Sequence, residues 1–318
     1  MKLENYNKED FQHSFVRRKL GHDYKAPCRY HIIIKKKPDF QRLGEVIGDI
    51  NIPYGTPGCV DISLNPIGKI IKDAIENFPM EFPYFQTYQY KIMPDHLHWF
   101  LYAKERLPKH LGKFISFFKA NVSQTISTFL NRNLTSIDIF HPNYTDKIIY
   151  PGMNFNVVFN YIRENPLRLA TMRQNPEFFQ RINEIKIGDG LYSSYGNQYL
   201  LKNPFKEPVI IHRKYSSRYK EELKNEWMRT ALAGGVLVSA YISPYEKIIR
   251  EEAEMLGSKF ILIQNTPFGE KFKPAKHYFE LCSQGKLLII APKGEMKEES
   301  FREQCLKMNK LAEEIAKL

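Results

Sequence analysis

The chain has 318 residues, a formal charge of +12 and 43% hydrophobic content, enough apolar material for two ordinary domains with their own cores, which sets aside a disordered chain. A pI of about 9.3 asks for an anionic partner, and charge alone leaves nucleic acid and an acidic membrane surface both open.

The N-terminal MKLENYNKEDFQHSF lacks the apolar stretch of a secretory signal, and no window approaches the roughly 18 apolar residues of a membrane span. Cys28, Cys59, Cys282 and Cys305 lie far apart without CxxC spacing, so neither a zinc knuckle nor a disulfide framework is suggested, and a reducing cytosol fits. A soluble, cytoplasmic protein is expected. Aromatic residues make up 14% of the chain and serve either as core or, beside basic residues, as stacking surfaces for single strands.

Residues 1–27 read as a basic arm, with Arg17, Arg18 and Lys19 in a row. The first strand runs from Arg29 to Ile34, where Tyr30, Ile32 and Ile34 alternate with His31 and Ile33 before Lys35, Lys36 and Lys37. NIPYGTPGCV is turn-rich. A helix follows from Pro66, with Ile67, Ile70, Ile71 and Ile75 at helical spacing. Strands over Tyr84–Ile92 and His96–Ala103 are joined by Met93-Pro94-Asp95. A helix from about Pro108 to Leu130 carries Leu111, Phe114, Ile115, Phe118, Val122, Ile126 and Phe129 on one stripe. A further strand lies near Lys147–Tyr150, and MNFNVVFNYIREN reads as a helix ending at Asn165, because Pro166 disfavours helical geometry in the residue before it.

This order predicts an α+β layer of antiparallel sheet covered by helices over residues 28–200. A basic linker is expected over 201–230. From 231 to 318, strands (Val236–Ile242, Phe260–Gln264, Leu287–Ile290) alternate with helices (Pro244–Leu256, Ala275–Ser283, Phe301–Lys317), which predicts a small parallel α/β, Rossmann-like domain. Ser243-Pro244-Tyr245-Glu246 is a capping box with proline at the first helical position. Gly234-Gly235 precedes its strand, so no dinucleotide fingerprint is present.

Two segments carry candidate chemistry. In MPDHLHWFLYA, strand alternation projects His96 and His98 to one face and Leu97 and Trp99 to the other. Two imidazoles one strand-step apart can share a divalent cation, or can be structural histidines. The His-x-His-x-Asp-His and HExxH patterns of other metal hydrolases are absent. In YIRENP, helical spacing puts Tyr161 and Asn165 on one face. Tyr161 is either a packed tyrosine or a nucleophile whose phenolate needs a nearby positive charge, since a phenol near pKa 10 attacks poorly at neutral pH. Lys35, Lys36, Lys37, Lys113, Lys119 and Arg163 are candidate phosphate contacts, each equally readable as part of a solvated face.

MPDHLHWFLYA, a long helix, YIRENPLRL and the downstream GLYSSYG together resemble the HUH single-tyrosine transposases, most closely the REP-associated tyrosine transposases, over about residues 15–200. The YHIII strand is similar to that family's first strand. The resemblance implies a ferredoxin-like HUH domain, with Mg²⁺ or Mn²⁺ held by His96, His98 and Asn165. It implies Tyr161 as the nucleophile forming a 5′-phosphotyrosine link, a hairpin-bearing single-stranded DNA substrate, a prokaryotic nucleoid setting and a homodimer. Asp95 stands where the family usually has Asn, which adds a negative charge beside the site, and Trp99 replaces a common aliphatic residue. The segment LVSAYISPYEKIIREEAEMLGSKFILIQN resembles the Rossmann-like core of the DNA-processing protein A family, suggesting a DNA-holding or dimerising accessory, or a nucleotide-binding module. The rival functions are a catalytically silent hairpin-binding protein and a metal-dependent phosphoesterase acting on small nucleotides.

Overall fold

Alternating polar and apolar residues build a sheet with two different faces, and the first sheet of this chain is built that way. The computed structural model describes residues 18–270, 272–294 and 300–318, and the chain divides into two compact units, Met1–Ala170 and Thr171–Leu318. In the first, β1 (Cys28–Lys35) is followed by a two-stranded ribbon, β2 (Gly44–Ile47) and β3 (Asp61–Leu64), whose connection holds the turn-rich NIPYGTPGCV. Next come α1 (Pro66–Glu81), β4 (Phe85–Ile92), β5 (His96–Ala103), α2 (Leu111–Leu130), the single turn α3 (Ser136–Ile139), β6 (Thr145–Ile149) and α4 (Phe155–Gln174). The sheet order is β4-β5-β1-β6, antiparallel at each pairing. This mixture of antiparallel sheet and covering helices is the α+β arrangement expected.

One face of this sheet is apolar. Tyr30, Ile32 and Ile34 of β1 and Leu97, Trp99, Leu101 and Ala103 of β5 meet Ile67, Ile71, Ile75 and Phe78 of α1 and Phe114, Ile115, Phe118, Val122 and Ile126 of α2. Asn65 caps α1 by accepting from the Gly68 amide. Gly68 is required here because a Cβ would stand 2.1 Å from the Leu43 carbonyl oxygen. Of the expected α2 stripe, Phe129 is 56% exposed, since it falls in the last turn, beyond the sheet residues that bury the others.

Of the basic arm expected over residues 1–27, the described part, from Arg18 onward, is tied down. The Arg18 guanidinium donates to Asp146 and lies over the Tyr144 ring, and the Tyr24 hydroxyl donates to the other Asp146 oxygen. A buried carboxylate on the edge strand thus holds the segment. Arg17 lies outside the described residues.

The second unit is a six-stranded sheet of order β7-β8-β12-β11-β10-β9, formed by β7 (Gln180–Ile187), β8 (Gly190–Gly196), β9 (Lys206–Pro208), β10 (Val236–Ser239), β11 (Lys259–Ile263) and β12 (Leu287–Pro292). β9 to β12 run parallel, and the β7–β8 hairpin joins β12 antiparallel. α5 (Ser217–Leu232), α6 (Pro244–Met255) and α7 (Lys276–Ser283) bury Trp227, Ala231, Ile249, Ala253 and Phe279 on one face. α8 (Phe301–Lys317) buries Met308, Leu311 and Ile315 on the other. Cover on both faces explains why these strands are apolar throughout.

The units part between residues 170 and 171, not near 200. The reason is GLYSSYG: as β8 it pairs with β12, Tyr195 opposite Ile289, so residues 180–196 belong to the second sheet. Gly196, at φ 123°, lets β8 approach where a Cβ would stand 2.3 Å from the Leu287 carbonyl oxygen. The expected linker likewise holds an edge strand and a helix: β9 pairs with β10, and α5 is capped by Ser216, whose hydroxyl accepts from the Tyr219 amide. No helix among the described residues is long and apolar enough to cross a membrane.

Lys119 needs the largest reassignment. Expected to touch phosphate, it is 5% exposed, and its ammonium donates to the carbonyls of His141, Pro142 and Asn143 at 2.9, 3.3 and 3.1 Å. Its position on the inward stripe of α2 buries the stem, and the loop carbonyls receive the charge. Burial, aided by the Arg18 guanidinium, pushes its pKa down to about 8. Lys119→Met leaves those carbonyls without their donor and is expected to lower stability by about 2 kcal/mol in urea unfolding. Because the folded-state pKa lies below the unfolded one, the penalty for burying the charge is complete below about pH 8 and relieved as pH rises from there toward the unfolded value. The deficit of Lys119→Met should therefore widen over that alkaline window.

Candidate active site

The second face of the first sheet is polar where β1 and β5 run side by side. The register sets Lys35 opposite His96, Ile33 opposite His98 and His31 opposite Phe100, while β4 sets Lys91 opposite His98. Alternation sends Leu97 and Trp99 into the apolar core and leaves His96, His98 and His31 on the other side. Trp99 is fully buried there and donates its indole N–H to Thr87 Oγ1 at 3.0 Å.

The histidines form a chain of close contacts. Asp95 Oδ1 lies 2.7 Å from His96 Nδ1, His96 Nε2 lies 3.0 Å from His98 Nε2, and His98 Nδ1 lies 2.9 Å from His31 Nε2. Hydrogen bonding from His96 holds the Asp95 carboxyl below the usual carboxylate range. His98 is 1% exposed and His31 7%, and buried imidazoles at such positions are tolerated because they bond to one another.

The spacing of the two Nε2 atoms has a chemical reading. A separation of 3.0 Å is that of a hydrogen bond, and it is also about the distance between adjacent corners of an octahedral shell with bonds of about 2.1 Å. The pair therefore fits a shared proton or a divalent cation. Among the described residues no group of three or more His, Cys, Asp or Glu side chains is disposed to hold a metal ion. A cation on this pair must complete its shell from other donors, such as an amide oxygen, water or phosphate.

α4 covers the histidine face. Val158 and Ile162 pack on Phe100 and Ile149, with Tyr161 beside them. The Tyr161 ring stands edge-on to His98 at 5.7 Å between centroids and to His31 at 5.9 Å. The Arg168 guanidinium lies 5.8 Å from the Tyr161 ring centre. Asn165, 6% exposed, donates its amide nitrogen to the Tyr161 carbonyl at 2.6 Å, which leaves its oxygen as the atom available to a ligand.

The helix does not stop at Asn165: it continues through Pro166 to Gln174. Proline biases the preceding residue away from helix without forbidding it, and here both Asn165 and Pro166 are buried, so packing outweighs the local bias.

The expected basic contacts scatter. Lys35 is exposed beside His96, whereas the Lys36 ammonium is engaged by the carbonyls of Lys37, Pro38 and Phe40. Lys37 follows on the same loop and is half-buried. Lys113 is exposed on α2, the helix that covers the opposite, apolar face, and Lys119 is buried as described. Arg163 is half-buried, with its guanidinium 4.8 Å from the Tyr54 ring centre. Three residues on the histidine face escaped sequence reasoning. Lys91 lies opposite His98 and bonds Asp61 Oδ1 at 2.8 Å, Lys147 lies opposite His31 and is exposed, and His31 itself contacts His98. The parity of each along its strand was readable, but the partner strand that brings it to the site was not.

Comparison with known proteins gives partial likenesses. No family model matches the chain. An uncharacterized protein of Haemophilus influenzae is 28% identical over 126 residues, covering 33% of this chain and 68% of that protein. Among solved structures, a REP-associated tyrosine transposase bound to a REP hairpin aligns at TM-score 0.34 and 12% identity, over 48% of this chain and 74% of the other. DNA processing protein A from Helicobacter pylori, described for its single-stranded DNA binding mode, aligns at TM-score 0.30 and 18% identity, over 44% and 67%. At TM-scores this low neither likeness fixes the fold or the function of this chain.

Proposed function

We propose that the chain cleaves and rejoins single-stranded DNA beside a hairpin, with Tyr161 as nucleophile and a divalent cation, Mg²⁺ or Mn²⁺, held by His96, His98 and the Asn165 oxygen. The observation that carries this reading is the convergence of the Tyr161 ring on His98, 5.7 Å between centroids, from an element 63 residues away in the chain by its numbering, where His98 Nε2 in turn lies 3.0 Å from His96 Nε2.

In this reading the phenolic oxygen of Tyr161 attacks a backbone phosphorus after giving up its proton to solvent. The P–O3′ bond breaks, and the departing 3′ oxygen takes up a proton. The bond formed is a phosphotyrosine ester on the 5′ side, and attack by a 3′-hydroxyl reverses the step without ATP because the ester retains the bond energy. A cation held by His96, His98 and Asn165 would supply charge to polarise the phosphate and stabilise the phenolate. Lys35, Lys91 and Lys147 line the same sheet face and suit phosphates flanking the scissile one.

The decisive experiment incubates purified protein with Mn²⁺ and a hairpin-bearing oligonucleotide. The expected result is a covalent protein–DNA adduct in the wild type and none above background in Tyr161→Phe. Hairpin binding without any adduct in the wild type would instead indicate a silent binding protein, and hydrolysis of mononucleotides that survives Tyr161→Phe would indicate a phosphoesterase. His98→Ala is expected to weaken Mn²⁺ binding by at least about 100-fold in calorimetry, more than loss of an outer partner does. Asp95→Asn keeps an acceptor for His96 Nδ1 but removes the charge, so its Mn²⁺ affinity should fall by about 10-fold or less.

A further inference from the structure

The two proposed imidazole ligands are gripped differently from behind. His96 presents Nδ1 to a carboxylate, Asp95, at 2.7 Å, the arrangement that commonly orients a metal-binding imidazole. His98 presents Nδ1 to another imidazole, His31 Nε2, at 2.9 Å. The ring planes are 29° apart and the centroids 5.1 Å apart, an edge-to-edge approach that suits a hydrogen bond between the two nitrogens. His31 sits on β1 between Tyr30 and Ile32, both fully buried, and is itself 7% exposed. A histidine in such a strand requires a partner, and His98 is one.

We infer that His31 is a positioning residue for His98: it sets the plane of the His98 ring and accepts its Nδ1–H, so that the Nε2 lone pair is turned toward His96 for a cation. The inference rests on the function proposed above. A neutral imidazole carries one N–H and one lone pair, so His98 can ligate through Nε2 only while Nδ1 holds the proton, and on a ring only 1% exposed that proton needs an acceptor within the protein. His31 Nε2 is placed to be that acceptor. His31 is not a third ligand to the same ion, because it meets His98 at the nitrogen remote from His96. An imidazole here also suits the protein without metal. His31 can then donate to His98 Nδ1 while His98 Nε2–H donates to His96, the same contacts with the protons moved along.

The test compares His31→Gln with His31→Leu in the full chain. A glutamine oxygen falls close to where Nε2 stood and accepts the same hydrogen bond; leucine fills the space without an acceptor. Mn²⁺ binding by calorimetry is expected to weaken roughly 10- to 100-fold in His31→Leu and to stay within about 3-fold of wild type in His31→Gln, where the acceptor is kept. Long-range proton–nitrogen spectra of histidine-labelled, Mg²⁺-saturated wild type should show His98 protonated at Nδ1. Hairpin-oligonucleotide binding in chelator should be equal in all three proteins, which separates positioning from general loss of structure. If His31→Leu does not fold, His31→Gln and the wild-type spectrum decide. Mn²⁺ binding equally tight in wild type and His31→Leu, or lost equally in His31→Gln and His31→Leu, overturns the role of His31 alone. Absence of Mn²⁺ binding in the wild type overturns the metal reading of His96 and His98 and this inference with it.

Discussion

The register between β1 and β5 is the constraint on which the first unit depends. With Ile32 opposite Trp99 and Ile34 opposite Leu97, Tyr30, Ile32 and Ile34 of β1 and Leu97, Trp99, Leu101 and Ala103 of β5 face α1 and α2, and the imidazoles, with Ile33 and Phe100, lie on the face that α4 covers. A slip of one residue would exchange the two sets. Fully burying a large apolar side chain contributes roughly 1.5–3 kcal/mol. Leu97, Trp99 and Leu101 together outweigh the sub-kcal to about 1.5 kcal/mol of any single hydrogen bond at the site. The core therefore fixes where the histidines point, and the histidines do not fix the core.

The polar face is held by a smaller set of contacts. Phe100, Ile149, Val158 and Ile162 form a separate apolar cluster under α4, and the histidine chain from Asp95 to His31 runs beside it. Tyr161 is carried to this face by the first turns of α4, and the helix continues past Pro166 where Asn165 and Pro166 are both buried. Asn165 contributes at the same turn by tying its amide to the Tyr161 carbonyl, which limits the freedom of the residue that carries the phenol.

The second unit is organised by burial on both faces of its parallel strands. Its helix α6 starts where Ser243 and Glu246 cap each other, and Glu246, 3% exposed, also accepts from the Ile211 amide at 2.8 Å. A helix N-terminus occupied by its own carboxylate is not open to an anion, so the strong capping signal in the sequence is structural. The β7–β8 hairpin completes the sheet at β12 and buries Ser194 and Tyr195.

The sequence by itself determined the elements whose cause is local: the alternation in HLHWFLYA, the isoleucine stripe of α1, the proline and serine caps, and the apolar strands of the second unit. It also determined that His96 shares a face with His98 and Tyr161 shares one with Asn165, because those relations follow from periodicity alone. Only the tertiary structure decided what depends on distant partners. GLYSSYG joined the second sheet because β12 offered an edge. SRYKEELKNEWMRTAL became α5 because Trp227 and Ala231 found a core that its dense charge concealed. Lys119 turned inward because the carbonyls of a loop more than twenty residues later received its ammonium. His31 met His98 because β1 pairs with β5, a contact between residues 67 apart in the chain, and no local pattern encodes a pairing of that range.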